Sequence, residues 1–265
     1  HFDITSDMAE QRQLEALYFV NKDKTNPDKI FAASDTNTHY VNLDSIDLDK
    51  TGNVHPKSVG ITKGNLTILG LIETDLQGNE IRSTLDFQHK YGGMTVAEEH
   101  LVEEVVDGET TLVHKPQTVL FDSVHLTKAN ASSDDTVNLG NGSLLNVLAN
   151  DATVILRDVV VDHNNSDGLG GAIYSNSTLT IAALGSNQVT FRGNLANGVS
   201  NAIYIDSSMS SIPTLTLNLS DTGVINFYDI VTGYEATTPI NRYNINIISS
   251  TADGDENDTA VNFYN

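Results

Sequence analysis

The chain has 265 residues, with 35 acidic and 14 basic side chains, a net charge of −21 and no cysteine. A charge of that sign and size repels phosphate backbones and anionic lipid headgroups, which sets nucleic acid and membrane surfaces aside as partners. The lack of cysteine excludes disulfides, thiolate zinc sites and cysteine nucleophiles.

Hydrophobic residues make up 39% and charged residues 18%, so Asn, Thr, Ser and Gly carry much of the polar remainder. That balance suits strands and turns better than helices. No apolar run reaches the length of about 18 residues that a transmembrane helix needs. The sequence opens His1-Phe2-Asp3, without Met and without a basic-then-apolar leader, so it reads as an excised piece of a longer precursor. Any export signal or membrane anchor is then expected outside it, and cysteine avoidance fits a bacterial protein exported unfolded.

Three stretches follow from the pattern: 1–45 as an N-terminal cap and irregular start, 46–117 as irregular rungs with an acidic hairpin near 101–114, and 118–265 as regular rungs. Residues 1–20 hold the one credible helix signal, a capping box of Asp7 and Glu10 followed by Leu14, Leu17 and Tyr18 at helical spacing. The apolar run 17–20 reads equally well as a strand. Either form would cover the open edge of the first rung. Short apolar runs then follow at 30–32, 40–43 and 66–69, with Gln77-Gly78-Asn79 as a tight connection.

At 101–114 the dipeptide Asp107-Gly108 lies between two strand-like runs, which predicts a projecting hairpin. Its acidic side chains Glu103, Glu104, Asp107 and Glu109 make it a candidate binding element. The plainer reading is a solvated acidic face that keeps an exposed edge from aggregating.

From Thr118 onward, runs of three to five residues recur between Gly, Asn, Asp or Ser, as in Val119-Leu120-Phe121, Val154-Ile155-Leu156 and Val159-Val160-Val161. Within them two landmarks repeat in one phase. Gly170-Gly171-Ala172-Ile173-Tyr174 is echoed by Ser200-Asn201-Ala202-Ile203-Tyr204, and Val161 to Asn164 is echoed by Phe191 to Asn194, both at an offset of 30 residues. A fixed period of that size marks a stacked repeat, in which each unit completes the core of its neighbour. Strand content and period together predict an all-β chain wound as a parallel β-helix, or β-solenoid. Equivalent residues of successive coils then stack as columns about 4.8 Å apart. Asn164 and Asn194 suit a side-chain amide ladder at a corner, with Asp229 as an irregular member. Gly170 and Gly171 relieve crowding where the chain re-enters a strand, and Ala172 points inward. Period-two alternation places Ile173 and Tyr174 on opposite faces without saying which is inside.

The pairs Gly170-Gly171-Ala172-Ile173 and Phe191-Arg192-Gly193-Asn194 resemble the GGA(I/L/V) and FxxN repeats of the chlamydial-type polymorphic outer-membrane proteins, which are autotransporters. The resemblance covers about a fifth of the chain. It implies a right-handed β-helix passenger on the bacterial cell surface or released from it, carried across the outer membrane by a translocator barrel outside this chain. The implied role is adhesion to a host surface protein or glycan, or self-association between cells, with no enzymatic step.

A β-helix also hosts polysaccharide lyases and glycoside hydrolases, which need carboxylates sharing one face with a calcium ion or a basic group; Asp134-Asp135 and Arg157-Asp158 are the nearest groups. A passive structural stalk is the third reading. Asp253, Asp255 and Asp258 resemble the start of a calcium loop but lack the distal bidentate glutamate, so neither cofactor nor metal is expected beyond that weak calcium candidate. His125 and His163 are far apart in sequence, though stacking could bring them to one column, and they suit surface or ladder positions better than metal ligation. Outward tyrosines among Tyr174, Tyr204, Tyr228, Tyr234, Tyr243 and Tyr264 would offer a sugar-stacking platform, and half-buried ones would be structural.

Overall fold

The computed structural model describes residues 2–3, 38–42, 58–62, 66–70, 72–74, 76–87, 89, 92–96, 101–106, 108–116, 118–133, 140–207, 213–233, 244–250 and 259–264. The helix signal at 7–18, Asp107, Asp134, Asp135, Tyr234, Tyr243, Asp253, Asp255 and Asp258 lie outside these residues.

Every described element is a strand, and the strands return to the same three faces coil after coil. The first face stacks Leu66–Leu69, Thr118–Asp122, Thr153–Arg157, Thr178–Ala183, Thr214–Ser220 and Asn244–Ser250 in parallel. The second stacks Glu80–Asp86, Val124–Thr127, Val160–Asp162, Gln188–Arg192, Val224–Phe227 and Ala260–Phe263. The third stacks Ser58–Thr62, Gly92–Val96, Leu145–Val147, Ile173–Ser175, Ile203–Ile205 and Val231–Gly233. Two-residue strands at 130–131, 165–166 and 195–196 form a short fourth side between the second face and the third. The result is a parallel β-solenoid whose first coil with all three faces described is residues 66–96, preceded by Thr38–Asn42 in parallel on Glu80–Asp86 and Ser58–Thr62 in parallel on Gly92–Val96.

Strands this short work because each coil buries one residue in two against the coils on either side. Val119, Val154, Leu179 and Leu215 make one buried column, and Phe121, Leu156, Ile181 and Leu217 a second. On the second face, Val161 is followed by Phe191, Phe227 and Phe263, whose rings stack at centroid distances of 5.1 Å. Ile173 and Ile203 pair across their 30-residue offset and point inward. Tyr174 and Tyr204 therefore point outward, stacked at 5.9 Å.

The repeated Gly-Gly has a steric cause. A Cβ on Gly170 would lie 2.0 Å from the Ile173 carbonyl oxygen, and one on Gly171 2.4 Å from the Asn201 carbonyl oxygen of the next coil. Gly170 also has φ +67°, where other residues are strained.

Polar contacts fix the corners. The Asn164 amide donates to Asn194 Oδ1 at 2.8 Å, and Asn194 Nδ2 donates to Asp229 Oδ2 at 2.7 Å, all three side chains being buried. At another corner the buried Arg82 guanidinium donates to the carbonyls of Asp158 and, at 3.1 Å, of Gln188, tying the first coil to the third and fourth. The strands Leu101–Val106 and Glu109–His114 pair antiparallel with each other and with no other described strand. This hairpin stands away from the coil, inserted between its first and second turns.

Candidate functional site

With the interior filled by side chains, chemistry available to a partner lies on the outer sides. The second face is the richest. Its outward positions form two columns: Thr84, His125, Val160, Thr190, Asn226 and Asn262, and beside it Asp86, Thr127, Asp162, Arg192, Tyr228 and Tyr264. At the corner just beyond, Lys128, His163 and Gly193 are in register on consecutive coils, through Lys128 N to Asp162 O at 3.3 Å and His163 N to Arg192 O at 3.2 Å, and on the preceding coil His89, two residues past the register position of Phe87, donates its N–H to Lys128 O at 2.7 Å.

Asp162 is the hub. Its carboxylate accepts from His125 Nε2 at 2.8 Å and from Arg192 Nη2 and Nε at 3.2 and 3.3 Å, with His163 Nδ1 at 3.3 Å. Burial alone would raise its pKa. The hydrogen bonds from His125, Thr127 and His163 and the charge at His125 win, holding the carboxyl well below the usual carboxylate range. One coil away, Lys128 Nζ meets Asp86 Oδ2 at 2.6 Å.

These pairs are layered. The side chains of Asp162 and Asp86 are 3% and 7% exposed, whereas those of Lys128, Arg192 and His163 are 41%, 56% and 60% exposed. The carboxylates lie beneath and the basic groups above, so solvent meets basic groups on a chain that is strongly acidic as a whole. The corner is also strained. His89, Lys128 and His163 have φ of +57°, +59° and +53°, a region in which non-glycine residues are uncommon.

No family model, no curated protein and no solved structure matches this chain.

The repeat residues lie inside the winding or at its corners. Ala172, Ile173, Phe191, Ala202 and Ile203 are in the core, Asn164 and Asn194 in the buried ladder, and Gly170 and Gly171 at the tight re-entry. In the hairpin, Glu104 Oε1 pairs with Lys115 Nζ at 2.7 Å and Glu109 is exposed, while Glu103 belongs to the paired strand.

Arg157 pairs with Asp122, whereas the buried Asp158 carboxyl accepts from Leu184 N at 2.8 Å and Asn187 Nδ2 at 3.1 Å. Desolvation raises the Asp158 pKa. The two neighbours thus serve different contacts. Among the described residues no group of three or more His, Asp or Glu is placed to hold a metal ion.

Tyr228 and Tyr264 are exposed and stacked ring on ring at 4.4 Å with 6° between planes. Their flat faces cover each other along the solenoid axis, so the side of the coil meets ring edges and hydroxyls. Tyr174 is held by a hydrogen bond from its hydroxyl to Asp206. Burial and that carboxylate push its phenol above the usual range.

Sequence reasoning missed Asp162, Lys128, Arg192 and His89; it allowed His125 and His163 to share a column, and the structure brings both to the Asp162 carboxylate from neighbouring columns. The available signal was the register. Counting 30 residues back from Arg192 lands on Asp162, and His163 follows it.

Proposed function

We propose that this chain is a non-enzymatic adhesive module of a bacterial cell-surface or secreted protein, an autotransporter-like passenger wound as a right-handed parallel β-helix. It holds a host surface protein or glycan, or a neighbouring cell, through the outer sides of the solenoid. Its membrane connection runs through a translocator domain outside this chain.

The observation that carries this reading is the division of labour between the inside and outside of the coil. The sequence repeats serve the core and corners, while exposed basic groups are arrayed over buried carboxylates on a regular outer side. A broad, rigid, periodic side suits many weak simultaneous contacts, whose avidity grows with the number engaged. The GGAI and FxxN repeats support the autotransporter assignment, and stacked parallel coils agree with what that resemblance implies.

The test is saturation binding of the fluorescently labelled chain to cultured epithelial cells and to bacteria displaying it. Saturable binding competed by unlabelled chain is expected. Binding that stays linear with concentration and resists competition would refute an adhesive role and leave a passive stalk.

A further inference from the structure

We propose that the corner column formed by His89, Lys128 and His163, with Arg192 beside it, binds a linear acidic polysaccharide lying along the solenoid axis. The proposal rests on the adhesive reading above and names its ligand class.

Lys128, His163 and Gly193 run in register over three consecutive coils, and His89 flanks them on the coil before, so the patch crosses four coils. At about 4.8 Å per coil it spans about 14 Å, the scale of a few sugar units. Repetition at a fixed spacing is what a repeating polymer recognises, and what a compact ligand cannot use. The donors are oriented from below. Asp162 takes Nε and Nη2 of Arg192 on one oxygen, leaving the Nη1 edge of the guanidinium turned away from the carboxylate. It also takes His163 at Nδ1, which leaves Nε2 on the outer edge of the ring. That edge lies against Gly193, where an added Cβ would stand 3.3 Å from His163 Cδ2 and 3.5 Å from Nε2. A side chain there would cover the imidazole, and glycine keeps it open.

The backbone gives an independent reason. Left-handed corners are easiest for Gly or Asn. This column takes Gly only at 193 and places His, Lys and His at the other three coils, where the strain must be offset elsewhere. A purely structural corner has no use for three basic side chains.

Charge sets the ligand class. Lys128 and Arg192 balance Asp86 and Asp162, so the patch is neutral when its histidines are neutral. Protonation of His89, His125 and His163 adds three positive charges. The fifth coil brings Tyr228 to the column of Arg192 and the buried Asp229 carboxylate to the corner, where it accepts from Asn194, and the short corner strands Asn130–Ala131, Asn165–Ser166 and Leu195–Ala196 bring no ionisable group. A protonated imidazole attracts a polyanion more strongly than a neutral one. The overall charge of −21 acts at long range but is screened beyond about 8 Å at physiological salt.

The test compares labelled heparin, hyaluronan and neutral dextran for binding to the chain at about pH 5.5 and pH 7.5, the two sides of histidine titration. One polyanion or both should bind, at least about tenfold more tightly at the lower pH, with dextran unbound. Preference for heparin identifies sulfate as the anchor, and preference for hyaluronan identifies carboxylate. The double variant Lys128→Asn with His163→Asn keeps the left-handed corner, because Asn tolerates it. It should lose about tenfold in polyanion affinity while its circular-dichroism spectrum matches the parent, the lost pairs with Asp86 and Asp162 lowering only its melting temperature. Equal binding of dextran, no polyanion binding at either pH, or unchanged affinity in the double variant would overturn the proposal. If polyanions fail while the chain still saturates cells, this inference falls and the adhesive reading stands; if both fail, both fall.

Discussion

The buried amide ladder yields the sharpest stability prediction, through Asn194→Ala. Asn194 Oδ1 accepts from the Asn164 backbone at 3.3 Å and from Asn164 Nδ2 at 2.8 Å, and its Nδ2 donates to Val161 O at 3.0 Å and Asp229 Oδ2 at 2.7 Å. Three of these are neutral bonds contributing about 1 kcal/mol each, and the one to the Asp229 carboxylate about 2 kcal/mol. Truncation also strands buried partners on both adjacent coils, so the expected loss is about 3–6 kcal/mol. Asp229 keeps the Asn194 backbone donor at 2.9 Å, which sets the upper end. The assay is urea unfolding followed by circular dichroism, with Ser186→Ala as a control at an exposed turn. A double-mutant cycle with Asn164→Ala should show a coupling of about 1 kcal/mol or more. A loss below about 1 kcal/mol, no larger than the control, would show that the ladder does not hold the coils together.

Three further outcomes follow from the same structure. Arg82→Met removes the buried donors to the Asp158 and Gln188 carbonyls and should cost about 2–4 kcal/mol in the same titration; a neutral result would mean that water replaces the guanidinium. Gly171→Ala places a Cβ 2.4 Å from the Asn201 carbonyl oxygen, whereas at Gly185 a Cβ meets nothing within 4 Å. Gly171→Ala should therefore lower the melting temperature more than Gly185→Ala, which bears only the strain of its positive φ, about 1 kcal/mol. For Asp162 the folded pKa lies below the unfolded one, so its ion pairs contribute stability above the unfolded value, about pH 4, and lose it as pH falls through the folded value. Asp162→Asn should flatten the acid limb of the stability–pH curve below about pH 4, and an unchanged limb would contradict the contacts drawn at that carboxylate.

What the sequence makes legible is the local repeat. Ala172 and Ala202, like Asn164 and Asn194, sit one coil apart because no insertion intervenes between them, so their 30-residue spacing survives in the letters. Elsewhere loops of different length join the same faces: Val119 pairs with Val154 at an offset of 35 and Leu179 with Leu215 at 36. A fixed-period search passes over such coils although their cores are equivalent. The outer side was harder to read. His125 and Asp162 are 37 residues apart, Arg192 and Asp162 30 apart, and each looks unremarkable among its neighbours. They meet only because stacking converts register into proximity, and period-two alternation cannot say which members of a three-residue strand face out. Ile173 and Tyr174 illustrate this: both suit a strand, and the Ile column that continues through Ile203 decides which is inside.

Hydrogen–deuterium exchange of the chain with and without heparin at about pH 5.5 tests the central claim, that the outer corner of the solenoid is where it binds. Slowed exchange at residues 125–128, 160–163 and 190–193, with the hairpin at 101–114 unchanged, is the predicted result. Protection confined to the hairpin, or no change at any residue, would contradict it.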